Sequence, residues 1–171
     1  SENAVQIYLP AKKVKTRLVI IGVGKIANEI NEALITLLPG GGKSNTVAFT
    51  ALNMPWPLPE QSLSDMLSIA EEVLVIEEKR SFVEDQIAKI CVKKDRNMLL
   101  SGKTNPDGEN LLPSYGELSL ENIINVIAER ASHHSIELNP FKELSSVNKL
   151  DEIPVRQPYY CAGCPHNSST K

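Results

Sequence analysis

The sequence has few of the features that mark membrane, secreted or nucleic-acid-binding proteins. It has no apolar run near the roughly 20 residues that a membrane helix needs, and no signal peptide is expected. Its three cysteines are too few for a disulfide scaffold and fit a reducing compartment. Its 18 basic residues are scattered among 21 acidic ones, so no basic surface for a nucleic acid or a membrane is indicated. These absences favour a cytoplasmic protein with neither kind of partner.

Buried strands alternate with amphipathic helices along most of the chain. Residues 18–21 form a continuous apolar run that ends in glycines, which is typical of a strand buried on both faces. Apolar residues then recur at helical spacing over 26–37. The alternation predicts strands near 17–22, 46–52 and 72–77, a candidate fourth strand in NMLLSGK, and helices near 25–38, 62–70, 81–91 and 119–131. Ser81 and Glu84 match a capping box, and Ser119 is a candidate N-cap.

The alternation predicts an α/β fold in which a small parallel sheet lies between two layers of helices. This Rossmann-like domain is expected at 16–132, after an extended lead-in at 1–15 that is polar and rich in lysine. From 133 to 158 the helical period is lost and three prolines occur, which is typical of a linker. An extended C-terminal tail follows.

The stretch GVGKIA matches a dinucleotide-binding fingerprint in part. Gly22, Gly24 and Ala27 satisfy G-x-G-x-x-A at a strand-to-helix junction, where glycines let a pyrophosphate reach the helix N-terminus. The carboxylate that should bind the ribose is missing, because Asn53 ends the second strand. A structural glycine turn explains the pattern as well, and we expect NAD and FAD to bind negligibly.

The charged stretch Glu77–Arg80 follows the third predicted strand. Open α/β sheets bind ligands at the carboxyl ends of their strands, so a binding role is one interpretation. The other is a solvated surface, because charged residues beside a helix N-cap are usually exposed. The adjacent pair His133 and His134 is assigned no role, since it is typical of a frayed helix end.

The closing stretch PYYCAGCPHNSSTK holds the remaining candidate chemistry. Cys161 and Cys164 form a C-x-x-C pair, and His166 follows closely. A structural zinc site or an iron–sulfur cluster needs four ligands, and this stretch supplies at most three. Cys91 is predicted to be a buried, structural thiol in a helix. The pattern indicates part of a site that is completed elsewhere, so we expect neither cluster nor zinc to be held tightly by this chain alone.

Several stretches of the chain, in this order, resemble the large or fused subunit of indolepyruvate ferredoxin oxidoreductases. They are IGVGKIANEINEAL, PWPLPEQSLSDM, EEVLVIEEKRSFVEDQI, SGK, GELS and the closing PYYCAGCPHNSSTK. The resemblance covers about Arg17 to Lys171. It implies that 16–132 is similar to the C-terminal domain of transketolases, and that 159–171 is the truncated beginning of a thiamine-diphosphate-binding domain. The carboxyl edge of the sheet, with its glycine turn and Glu77–Arg80, would then face a partner domain.

The resemblance also implies a reaction. The family oxidatively decarboxylates indolepyruvate and related aryl 2-oxoacids to an acyl-CoA and passes the electrons to ferredoxin. The intact enzyme would hold thiamine diphosphate, Mg²⁺ and a [4Fe-4S] cluster. Cys161 and Cys164 would be ligands of that cluster, and His166 would lie near the cofactor. The partners implied are the pyrimidine-binding and diphosphate-binding domains, ferredoxin and coenzyme A, in an oligomeric enzyme.

The sequence contains neither a Gly-Asp-Gly motif followed by Asn, which binds thiamine diphosphate and magnesium, nor a ferredoxin-like run of four cysteines. We therefore expect a non-catalytic domain that carries no catalytic residue, is inactive alone and holds no cofactor in isolation. The alternative is a free-standing dinucleotide-binding or zinc-binding α/β module.

Overall fold

The computed structural model describes residues 5–8, 16–42 and 44–140, and a five-stranded sheet forms their centre. The strands are β1 (Val5–Tyr8), β2 (Thr16–Val23), β3 (Val47–Leu52), β4 (Ala70–Ile76) and β5 (Leu99–Ser101). Their order is β1-β3-β2-β4-β5, and β2 to β5 are parallel, which confirms the predicted parallel sheet and its fourth strand. The antiparallel pairing of β1 with the edge of β3 was not predicted, because a four-residue segment carries too little pattern.

Four helices connect or follow these strands in the described residues. They are α1 (Ile26–Leu37), α2 (Glu60–Leu67), α3 (Phe82–Lys93) and α4 (Leu120–His133). The second helix was predicted to extend to residue 70, but it ends at Leu67 because Ala70 already pairs with Thr16 in the sheet. None of the four combines the length and the apolar character that crossing a membrane requires.

The helices cover the two faces of the sheet. Strand β2 lies between β3 and β4 in the sheet. The connection through α1 leads from β2 to β3, and the connection through α2 leads back in the opposite direction across the sheet, from β3 to β4. Right-handed crossovers then place these helices on opposite faces. Alternate residues of the central strands accordingly enter two cores, one formed with α1 and α4 and the other with α2 and α3. The three-layer α/β architecture is confirmed; the predicted tail, beyond residue 140, lies outside the described residues.

This topology creates a crevice at the carboxyl edge of the sheet. Neighbouring strands β2 and β4 end side by side, with Gly22 paired to Ile76. The chain leaves β2 toward α1 on one face and leaves β4 toward α3 on the other face. Ligands of open α/β sheets bind at such a switch point. The glycine turn and Glu77–Arg80 both lie here, as the sequence predicted.

Candidate functional site at the carboxyl edge of the sheet

The two glycines of the fingerprint have separate structural roles. A Cβ atom on Gly22 would lie 2.5 Å from Ile30 Cδ1 and 3.2 Å from Ala27 Cα, so glycine allows α1 to pack closely on β2. Gly24 has a φ of +64°, in the left-handed region that glycine adopts without steric cost. The turn is therefore explained by packing and backbone conformation, without a bound nucleotide.

The Lys25 side chain brings two carboxylates to the start of α1. Its Nζ atom lies 3.2 Å from Glu78 Oε1 and 3.4 Å from Glu117 Oε1. The hydrogen bond to Glu78, together with the charge of Glu117, raises the pKa of Lys25. A pyrophosphate at this helix N-terminus would meet both carboxylates. Like-charge repulsion therefore adds a reason, besides Asn53, to expect negligible binding of NAD and FAD.

Glu77 is buried and caps α3. Its carboxylate accepts hydrogen bonds from the backbone N–H of Val83 at 2.9 Å and of Glu84 at 3.0 Å. Burial raises the pKa of Glu77, and these two hydrogen bonds oppose that rise. The predicted capping box is wrong, because Ser81 makes no side-chain capping bond. The solvated interpretation is also wrong for Glu77, since the turn after β4 directs its side chain to the start of the helix.

We expect the replacement of Glu77 by alanine to lower the free energy of unfolding by about 1–2 kcal/mol, because two N–H groups of α3 lose their acceptor. Ser81→Ala, the matched control at the N-cap position, should cost less than about 0.5 kcal/mol. Urea denaturation followed by circular dichroism measures both. Equal losses in the two variants would contradict a capping role for Glu77.

Lys103 connects the two loops that flank the crevice. This buried lysine donates from Nζ to the carbonyl oxygens of Glu77, at 2.5 Å, and Pro113, at 3.1 Å. Its backbone N–H donates to Glu84 Oε2 at 3.0 Å. Burial lowers the pKa of Lys103, and the charges of Glu77 and Glu84 act in the opposite direction. The ammonium thus holds the turn after β4 against the segment that precedes α4.

An open cleft of about 520 Å³ lies between these loops. It is lined by Glu78, Lys79, Arg80, Phe82, Ser114, Tyr115 and Gly116. Phe82 is 52% exposed and Tyr115 82% exposed, while Trp56, 67% exposed, has its ring centre 6.5 Å from that of Phe82. Lys79 has a φ of 59°, which is uncommon outside glycine. The carboxyl edge therefore presents three exposed aromatic side chains near loops that the hydrogen bonds of Lys103 hold together.

The predicted ligand residues fall elsewhere. Cys161, Cys164 and His166 lie outside the described residues, so their assignments stay predictions. Cys91 was expected to be buried but is half-buried on α3, and burial raises the pKa of its thiol. His134 is not frayed, because its Nε2 lies 2.7 Å from Glu72 Oε2. The role of Lys103 was missed, although its place two residues after the end of β5 puts it at the same edge as the other strand ends.

The fold and this edge define a doubly wound α/β domain whose crevice carries exposed aromatic residues instead of a complete nucleotide site. The family model of the indolepyruvate oxidoreductase domain matches residues 10–153, and the chain belongs to this family. The resemblance seen in the ordered stretches is thereby confirmed.

Two curated relatives share the same description. The chain is 24% identical over 168 residues to the indolepyruvate oxidoreductase subunit IorA of Methanothermobacter marburgensis, covering 92% of this chain and 25% of the relative. It is 28% identical over 125 residues to subunit IorA of Thermococcus kodakarensis, covering 72% of this chain and 18% of the relative. The chain thus spans a quarter or less of these relatives.

A solved structure, the 2-oxoglutarate:ferredoxin oxidoreductase from Magnetococcus marinus, is similar at 16% identity and a TM-score of 0.47. The match covers 74% of this chain and 19% of that one. At this level of sequence identity and structural similarity, the match supports no conclusion about function.

Proposed function

We propose that the chain is a non-catalytic domain of a thiamine-diphosphate-dependent 2-oxoacid:ferredoxin oxidoreductase that acts on indolepyruvate or related aryl 2-oxoacids. The observation that carries this proposal is the family match over residues 10–153, together with relatives named as indolepyruvate oxidoreductase subunits that are about four times longer. The domain would span 16–132, followed by a linker at 133–158 and the start of the thiamine-diphosphate-binding domain at 159–171. Family membership does not favour a free-standing dinucleotide-binding or zinc-binding module.

The cofactors of the proposed enzyme would be held mainly by sequence beyond the described residues. Cys91 is the one cysteine among the described residues, so they cannot supply the thiolates of a [4Fe-4S] cluster. The proposal places that cluster at Cys161 and Cys164 with further ligands, His166 near the cofactor, and thiamine diphosphate with Mg²⁺ in the other domains. Ferredoxin and coenzyme A would be partners of a cytoplasmic, oligomeric enzyme.

The proposed role of this domain is to support its neighbours through the carboxyl edge. Phe82 and Tyr115 line the cleft, Trp56 lies beside Phe82, and all three side chains are large and exposed. Aromatic side chains of this kind are enriched in protein interfaces, where they bury much area at a low cost in conformational entropy. Glu77 and Lys103 fix the loops behind them, so the surface is preorganised for a domain contact.

The test uses the enzyme that contains this chain, with indolepyruvate, coenzyme A and ferredoxin as reactants. We expect the double variant Phe82→Ser/Tyr115→Ser to lower turnover about tenfold or more, because an aromatic contact between domains is lost. The matched control is Val92→Ser, on the same helix and 83% exposed but at its other end, which should leave turnover unchanged. The isolated 171-residue chain should show no turnover.

Two results would contradict the proposal in different ways. Turnover by the isolated chain, or no turnover of any aryl 2-oxoacid by the wild-type enzyme, would remove the assigned function. Normal turnover in the double variant would leave the enzyme class intact but remove the contact role of the edge.

A further inference from the structure

Two cations meet at one neutral hydroxyl group at the amino edge of the sheet, opposite the cleft. Ser64 is a buried residue of α2. Its Oγ accepts hydrogen bonds from Lys94 Nζ and from Arg96 Nη2, each at 2.8 Å. A serine oxygen has two lone pairs, so these bonds use its full accepting capacity and leave its own hydrogen free to be donated.

The backbone holds both cations in this position. Lys94 is the C-cap residue that follows α3, and its N–H donates to the carbonyl of Ile90. Asp95 follows with a φ of 47°, a left-handed conformation that is uncommon for a residue other than glycine. Arg96 N–H then donates back to the carbonyl of Cys91 at 3.1 Å. The reversal directs two successive basic side chains toward the same point on α2.

Hydrogen-bond donors exceed acceptors at this point. Lys94 has three N–H donors and Arg96 has five. Among the residues that the structure describes, no carboxylate lies within ion-pair distance of either side chain. Arg96 Nε is shielded from solvent and has no hydrogen-bond partner. A shielded donor without an acceptor costs free energy, and the remaining N–H groups of the two side chains offer further donors at this point.

Attraction to helix C-termini explains only part of this arrangement. Both α2 and α3 end at this edge, and the negative ends of their dipoles favour cations nearby. The dipoles explain neither the convergence of two cations on one serine nor the unsatisfied Nε. Lys93, in the last turn of α3, feels the same dipole, and the structure shows no such contact for it. Lys93 therefore serves as an internal control.

We propose that Ser64, Lys94 and Arg96 form a binding site for a phosphate-type oxyanion. The serine hydroxyl, the ammonium and the guanidinium each provide a donor at this point, which suits an anion with several acceptor oxygens. The site lies at the edge of the sheet opposite the proposed domain contact. Its existence therefore does not depend on the enzyme class assigned above.

The test is a titration of the ¹⁵N-labelled 171-residue chain with inorganic phosphate at pH 7.5 and constant ionic strength. We expect saturable amide shifts confined to residues around 64 and 94–96. Arg96→Gln and Lys94→Gln should each weaken the affinity about tenfold or more, because each removes a charged donor. Lys93→Gln should leave the affinity unchanged.

Parallel measurements identify the source of any binding. Circular dichroism of each variant shows whether the fold is kept, and Lys94→Gln, at an exposed position, keeps the test valid if Arg96→Gln is destabilised. Amide shifts that do not saturate, or that spread over the whole surface, would overturn the proposal, because they would come from non-specific attraction of phosphate to the protein. An equal loss in Lys93→Gln would overturn it as a general charge effect. Tighter binding of acetate than of phosphate would overturn the choice of anion.

Discussion

Replacement of Arg130 by methionine should lower the free energy of unfolding by about 3–5 kcal/mol at pH 7, because it leaves a buried carboxylate uncompensated. Glu72 is fully buried in β4, and Arg130 binds it in a bidentate manner, with Nε 2.7 Å from Oε1 and Nη2 3.0 Å from Oε2. Ser101 donates to Oε1 at 2.6 Å, and His134 Nε2 lies 2.7 Å from Oε2. Removal of the guanidinium takes away two of these hydrogen bonds and the opposing charge.

The loss should depend on pH. Burial alone would raise the pKa of Glu72, but the hydrogen bonds from Arg130, Ser101 and His134 outweigh burial and hold the pKa below its ordinary value. A depressed pKa stabilises the fold above the unfolded-state pKa of about 4.3, and this stabilisation is lost as the pH falls through the folded-state pKa. Urea denaturation at pH 7 and near pH 3 should therefore show a smaller difference between wild type and Arg130→Met at acid pH.

Two controls isolate the buried pair. Glu129 is exposed, and its Oε1 lies 3.9 Å from Arg130 Nη1. Its replacement by alanine should lower the free energy of unfolding by less than about 0.5 kcal/mol. The double variant Glu72→Met/Arg130→Met should recover a large part of the single-variant loss, because no charge is then left buried. A loss below 1 kcal/mol for Arg130→Met, or the same loss at both pH values, would contradict this account.

The Glu72 cluster also shows what local sequence patterns cannot predict. Glu72 lies in EEVLVIEE, where the sequence alone shows a charged residue at the start of an apolar strand. Its partners Arg130 and His134 are 58 and 62 residues away and come from a helix that folds back over the sheet. The ligand atoms of Glu72, His133 and His134 lie close enough for a metal ion. Since Arg130 binds both oxygens of Glu72, we assign this group a structural role.

Other parts of the fold were predictable because their signals are local. The continuous apolar run in β2 and the helical stripe of α1 depend only on neighbours along the chain, and both elements were confirmed. Ser119 was a correct N-cap, since its side chain accepts from the N–H of Asn122. Ser81 was also predicted to cap its helix, but this prediction was wrong. The turn after β4 directs the Glu77 side chain to the start of α3, where it accepts the N–H of Val83 in place of Ser81.

The position of the candidate site could also be predicted, but its contents could not. Parallel strands all end at one edge, so the glycine turn and Glu77–Arg80 had to come together. Whether that edge binds a ligand or a domain depends on which side chains are buried. The bracing by Lys103 and the exposure of Phe82 and Tyr115 follow from contacts between distant loops.

The glycine turn offers the second large effect: Gly22→Val should lower the free energy of unfolding by about 3 kcal/mol through overpacking. A Cβ atom at this position would lie 2.5 Å from Ile30 Cδ1, 3.2 Å from Ala27 Cα and 3.3 Å from Phe49 Cε2. The isoleucine methyl group can rotate away, but Ala27 Cα belongs to the backbone of α1. The helix must therefore move off the sheet, and the two further methyl groups of valine enlarge that shift.

Gly24→Asn is the matched control, because the two glycines share the fingerprint but not the packing. A Cβ atom on Gly24 would meet no atom within 4 Å, and asparagine tolerates the left-handed φ of +64° better than most residues. We expect it to cost less than about 1 kcal/mol. Urea denaturation of both variants, with circular dichroism to verify the fold, makes the comparison. If the two variants lost the same stability, close packing of α1 on β2 would not be the reason for glycine at position 22. A large loss in Gly22→Val alone would show that glycine at position 22 is required by the contact between helix and sheet, which explains this glycine without a bound dinucleotide.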